Sequence, residues 1–142
     1  MEDWKIKIAV LWIFGIITAL TTMFVMLLEP GVIEQVIAGE LKGQEIRPEV
    51  LLVLAIIVLI PLVMAFLSLV LKNSVNRWAN IIVGIAFLIF GLSDLPKYLA
   101  ISSAYAVLLD LSGVAASALI VWYAWKSKQN GTMSGETSKV II

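Results

Sequence analysis

Residues 8–28 read IAVLWIFGIITALTTMFVMLL, an uninterrupted run without a charged side chain that follows directly on Lys5 and Lys7. About 20 apolar residues, rising 1.5 Å each as a helix, cross the hydrocarbon of a bilayer, so this stretch has the length of a spanning helix. A basic start before an apolar run also opens a secretory signal peptide. This run is too long for the apolar part of such a peptide, and no small-x-small cleavage pattern follows it. It is expected to remain as a first span.

Three further runs repeat the pattern at Val50–Leu71, Ala79–Leu95 and Ile101–Ala124. The chain of 142 residues is 61% hydrophobic with a mean hydropathy of +1.04, whereas soluble domains are about 45–50% apolar. These features predict an all-α integral membrane four-helix bundle, a single domain over residues 1–125. A flexible Gly/Ser/Thr-rich tail is expected over 126–142. Net charge is zero, so nothing points to nucleic acid. Cysteine and histidine are both absent, which removes thiol–disulfide exchange, His-ligated haem, Cys/His zinc sites and His- or Cys-based triads. No catalytic residue, metal site or cofactor is predicted, and an enzyme is the least favoured class.

Lys and Arg set the expected orientation. Lys5, Lys7, Lys72, Arg77, Lys126, Lys128 and Lys139 fall on one side of the four runs, and Lys42, Arg47 and Lys97 on the other. The excess places both termini in the cytoplasm. Trp4, Trp78, Trp122 and Trp125 gather near that same interface, as an aromatic belt does, while Trp12 lies about two turns deeper. Between the first two spans, EPGVIEQVIAGELKGQEIRPE (29–49) carries Pro30, which suits the first position of a helix. Val32, Ile33, Val36 and Ile37 then share a face. A short interfacial helix is expected there, either a connector with an apolar underside or a lid over an outward pocket.

The polar residues within the apolar runs are the candidates for function. Asn80, Gly84, Phe87, Gly91 and Asp94 form a stripe at helical spacing in the third run, and Ser103, Ala106, Asp110, Gly113 and Ser117 form another in the fourth. These faces are expected to meet, since close contact between small residues drives helix association in lipid. Asp94, a turn from Pro96, is expected to pair with Lys97 near the outer surface. Asp110 lies roughly 10–16 Å in from the outer end of its helix, where a carboxylate costs about 2.5–3.5 kcal/mol. Tyr105, Ser103, Ser117 and the cluster Thr18, Thr21 and Thr22 are its expected partners. Asp110 reads either as interhelical glue or as a proton, cation or ligand site. Asn80 is expected to hydrogen-bond a neighbouring helix, and Pro61 to free a carbonyl near Ile57 and kink the second span.

The segments LWIF (11–14), LEPG (28–31), the mid-span Pro61, NRWANIIVGI (76–85) and WYAW (122–125) together resemble a family of small four-span microbial membrane proteins labelled as a domain of unknown function. The resemblance runs from about Leu11 to Trp125 and implies the same four-helix fold in a prokaryotic plasma membrane. It carries no activity and no assigned site residues. Its members tend to have an acid in the second half of the first span, where this chain reads TALTTMFVML (18–27). Three function classes follow. The favoured one is a bundle that binds lipid or another hydrophobic ligand, or docks on a larger membrane complex. Its alternative is a proton-coupled exporter acting as a homodimer with Asp110 as the coupling acid. An enzyme acting on lipid or quinone comes last.

Overall fold

A computed structural model of the chain describes residues 2–140, and side-chain surroundings through Ser127. All but the first two residues of the tail expected to be flexible, 126–142, therefore lie outside the described side chains. The elements are α1 (Asp3–Leu27), α2 (Val32–Ile37), β1 (Glu40–Leu41), β2 (Gln44–Glu45), α3 (Pro48–Val70), α4 (Asn73–Ala100) and α5 (Ala104–Val140). Four helices are long and apolar enough to cross a membrane: Asp3–Leu27, Pro48–Val70, Asn73–Ala100 and the Ala104–Ser127 part of α5. All four begin before or extend beyond the apolar runs, because polar residues at the ends continue the helices. Pro48 starts α3 in the first turn, where its missing N–H costs nothing. Pro96 is carried inside α4, which runs on to Ala100.

The short elements lie at the loop end of the bundle, opposite the end that holds Glu2 and Ser127. Pro30 does not open α2. Gly31 is its N-cap at φ +83°, a left-handed conformation that the helix cannot pass through, so α2 begins at Val32. Val32 is buried, whereas Ile33, Val36 and Ile37 are exposed. A two-residue hairpin follows that the sequence reading missed. Glu40 pairs with Glu45 and Leu41 with Gln44 around Lys42 and Gly43. Both turn residues have positive φ, 50° and 77°, as a type I′ turn requires. The Gln35 side chain accepts a bond from the Lys42 N–H at 3.0 Å and fastens the hairpin to α2.

The four long helices pack in the order α3–α1–α5–α4, and the ring stays open where α3 faces α4. α4 and α5 do pack together, but on α5 the close contacts run through Val114 and Val121, with Asp110 and Ser117 beside them, and Gly113 of the expected stripe meets nothing within 4 Å. A Cβ added at Gly84 meets Val121 Cγ2 at 2.8 Å, and one added at Gly91 meets Val114 Cγ2 at 2.7 Å. Gly84 and Gly91 are seven residues apart, as are Val114 and Val121, so two matched contacts lock the antiparallel pair.

Burial is uneven along the bundle. The core of Ile8, Trp12, Met64, Ala65, Ile81, Ile120 and Ala124 occupies the half nearer the termini. The buried residues of α3 are Pro61, Met64, Ala65 and Ser68, and those of α4 are Asn76, Asn80, Ile81 and Gly84. Both sets lie beside the turn joining the two helices. Their other halves have no fully buried residue, and although α4 stays against α5 there, α3 and α4 part company toward the loop end. Outside the bundle, Val10, Ile17, Phe24, Leu52, Leu59, Phe66, Ile82, Ile89 and Leu108 present a continuous apolar exterior.

Candidate functional site

The joined end is held by a buried polar network. Asn80 Oδ1 accepts from the Trp12 indole N–H at 2.7 Å, and its amide donates to Asn76 O at 2.9 Å and Asn76 Oδ1 at 2.6 Å. Asn76 Nδ2 donates to Ser68 O at 2.6 Å. The Ser68 hydroxyl lies 2.7 Å from Met64 O and 3.1 Å from Asn80 Oδ1 and shares its single proton between them. Ser68, Asn76 and Asn80 are fully buried. Buried polar groups are stable only when partnered, and here one asparagine ties α1, α3 and α4 together. The interhelical bond expected of Asn80 is thus made. Trp12, Ser68 and Asn76 were not singled out by sequence, although a tryptophan two turns below an interface needs an acceptor for its N–H.

Above this network lies a cavity of about 290 Å³ between α1, α3, α4 and α5. Its floor is Trp12 against the edge of Phe87, with ring centroids 5.6 Å apart and planes at 83°. Its walls are almost wholly apolar, and its far end carries Asp94, Tyr98 and Asp110. Leu54 of α3 and Phe90 of α4 both line the cavity and are exposed on the outer surface. The space therefore opens sideways through the gap between those helices.

Of the sequence candidates, Asp94, Asp110, Thr18, Thr22 and Ser117 line the cavity. Asn80 lies beneath its floor, and Tyr105 and Ser103 are not part of its wall. Asp94 pairs with Lys97 at 2.5 Å, as its spacing predicted. The expected partners of Asp110 do not bond to it. Thr18 donates to Phe14 O, Thr21 to Ile17 O, Thr22 to Thr18 O and Ser117 to Gly113 O, each back into its own helix. A hydroxyl in a helix finds that carbonyl four residues earlier before it finds another helix. Tyr105 instead donates to the Glu29 carboxylate and joins the end of α1 to the start of α5. Ser103 Oγ and Asp110 Oδ2 are buried and without partners among the described residues. Asp110 Oδ1 faces Gly91, 3.7 Å from where a Cβ would stand. No residue of α2 lines the cavity.

The model of one protein family matches residues 1–134, nearly the whole chain. The chain belongs to DUF6326, a family of unknown function. DUF6326 membership agrees with the resemblance carried by NRWANIIVGI and WYAW, and the first of these segments contains both asparagines of the buried network. No curated protein and no solved structure matches the chain. Among the described residues no three Asp or Glu side chains converge as a metal site.

The end that holds Glu2 is basic and aromatic. Arg77 lies over Trp78 and Trp125, Lys126 over Trp122, Lys7 over Tyr123 and Lys5 over Trp4, at 4.8–5.8 Å from the rings. Lys5 also donates to Leu71 O at 3.1 Å, where α3 ends.

Proposed function

We propose that this is an integral membrane protein that holds a lipid or another hydrophobic molecule in its laterally open cavity, alone or as a subunit of a larger membrane complex. The observation that carries this reading is the gap between α3 and α4. A pocket lined by Leu54, Ile57, Val58, Pro61 and Phe90 that opens sideways gives onto acyl chains once the apolar exterior is in a bilayer. Its volume of about 290 Å³ falls at the lower edge of ligand pockets, about 300–1,000 Å³. Apolar walls with a few polar groups at one end are the usual make-up of such sites. The basic and aromatic end supports placing the termini in the cytoplasm of a prokaryotic cell.

The test is native mass spectrometry of the protein released from its own membrane without delipidation. One stoichiometric small mass on the chain supports a binding bundle, and a co-purifying polypeptide supports an accessory subunit. A protein free of both sinks the reading. A second reading, the proton-coupled exporter, is favoured by one observation, the unpartnered Oδ2 of Asp110 at the cavity. Transport in proteoliposomes that ignores an imposed pH gradient excludes it.

A further inference from the structure

The polar groups around the cavity differ from one another in a way that specifies a guest. Thr18, Thr22 and Ser117 line it, yet each of their hydroxyl protons is already given to a backbone carbonyl at 2.8, 2.9 and 3.0 Å. What these hydroxyls offer the cavity is lone pairs. Asp110 adds the buried, unpartnered Oδ2. Asp94 also lines the space, and its one cation, Lys97, is 72% exposed, on the outside of the pair. Among the described residues, Tyr98 supplies the one lining hydroxyl that bonds to nothing else. Acceptors therefore outnumber donors around the cavity, and the carboxylates stand at its far end.

From this imbalance, and resting on the reading of the cavity as a ligand site, we propose that the guest is a lipophilic amine. Its apolar body lies along Pro61, Ile57 and Phe87, and its protonated head meets Asp110. An ammonium carries several N–H donors and the charge that Asp110 lacks, so binding partners Oδ2 and removes the cost of an isolated buried carboxylate. A carboxylate or phosphate head brings acceptors to acceptors and is repelled. An alcohol fills the same space but makes at most one neutral bond.

The test uses the full chain in lipid nanodiscs titrated with dodecylamine, dodecanol and dodecanoate, with occupancy read by native mass spectrometry. A bond to a charged group exceeds a neutral one by enough to predict about tenfold tighter binding of the amine than of the alcohol. Dodecanoate is expected to bind weakest, and Asp110→Asn to bring the ratio of amine to alcohol close to one. Gly113→Phe projects a ring into the cavity from a position where an added Cβ meets nothing within 4 Å. It is expected to abolish binding of all three, which separates the site from partition into lipid. Equal binding of amine and alcohol, both lost in Gly113→Phe, overturns the amine inference and leaves the cavity reading standing. Binding of none, or binding that Gly113→Phe does not change, overturns both. The comparison on the unaltered chain decides the question even where Asp110→Asn does not fold.

Discussion

Asn80 has more partners than any other described side chain in the bundle's interior, and Leu has the same branched outline with the same number of heavy atoms. Asn80→Leu leaves the Trp12 N–H without its acceptor and Asn76 Oδ1 without its donor, both in a buried setting, while Asn76 O keeps its helical bond. A buried group left unpaired costs about 1–3 kcal/mol, and the network has several. Asn80→Leu is therefore expected to lower stability by at least that much, read as a lower midpoint of thermal or denaturant unfolding in detergent. An unchanged midpoint rejects the network as a fastening. A second residue gives a pH dependence. Glu2 accepts bonds from the Trp4 indole and, at 2.6 Å, from the Asn73 amide, and these hold its carboxyl below the ordinary 4.5. A depressed folded pKa means the contact is at full strength above about pH 4.5 and is lost as pH falls through the folded value. Glu2→Gln is expected to flatten that acid limb of the stability curve, and matching limbs in both proteins count against it. The sequence made Asn80 a candidate but gave no partner for it. The partners lie 12 and 68 residues away, and which helix stands beside which is a tertiary fact.

At the scale of elements, the α4 half of the α4–α5 seam was readable, because Gly84 and Gly91 seven apart mark a face for close approach, whereas Val114 and Val121, which fill it from α5, did not stand out from the other apolar residues of that span. Gly91 tests it. Gly91→Ala gains about 1 kcal/mol of helix propensity but sets a methyl 2.7 Å from Val114 Cγ2. Valine is held in one χ1 rotamer in a helix and yields poorly, and overpacking costs about 1–3 kcal/mol. The balance predicts a net loss of stability for Gly91→Ala and its recovery in Gly91→Ala with Val114→Ala, measured as unfolding midpoints. A loss that the second change does not restore places the contact elsewhere. Other elements were less legible. Lys42-Gly43 is not the Asn-Gly pair that announces a hairpin, and Pro30 suggested a helix start that Gly31 moved two residues on. The hydroxyls of Thr18 and Ser117 looked like partners for Asp110, but nothing in a sequence says that a nearer carbonyl already holds their protons.

At the scale of the molecule, four helices were legible because hydrophobic length is a local property, whereas their order around the ring was not. The apolar exterior and the basic end make a topological prediction. The chain has no cysteine, so single cysteines report cleanly. With the chain in intact cells, a membrane-impermeant maleimide is expected to label Lys42→Cys from outside and Lys126→Cys only after lysis. A fluorophore at Phe90→Cys, exposed beside the gap, is expected to be quenched by lipids brominated in their tails. The reverse labelling pattern inverts the orientation, and an unquenched Phe90→Cys removes the lipid-facing window.

The one-sided fastening of α3 to α4 also has a mechanical side. From Pro61, the buried residue nearest its start, back to Pro48, α3 extends about 20 Å beyond its packed half, so it behaves as an arm on a pivot. A rotation of roughly 5° at Pro61, spread over that length, displaces the loop end of the arm by about 1.7 Å. The mouth of the cavity thus widens by little more than a carbon–carbon bond length while the packed core by Ile8 and Ala124 stays still. Leverage of this kind would change the opening without any rearrangement of side chains.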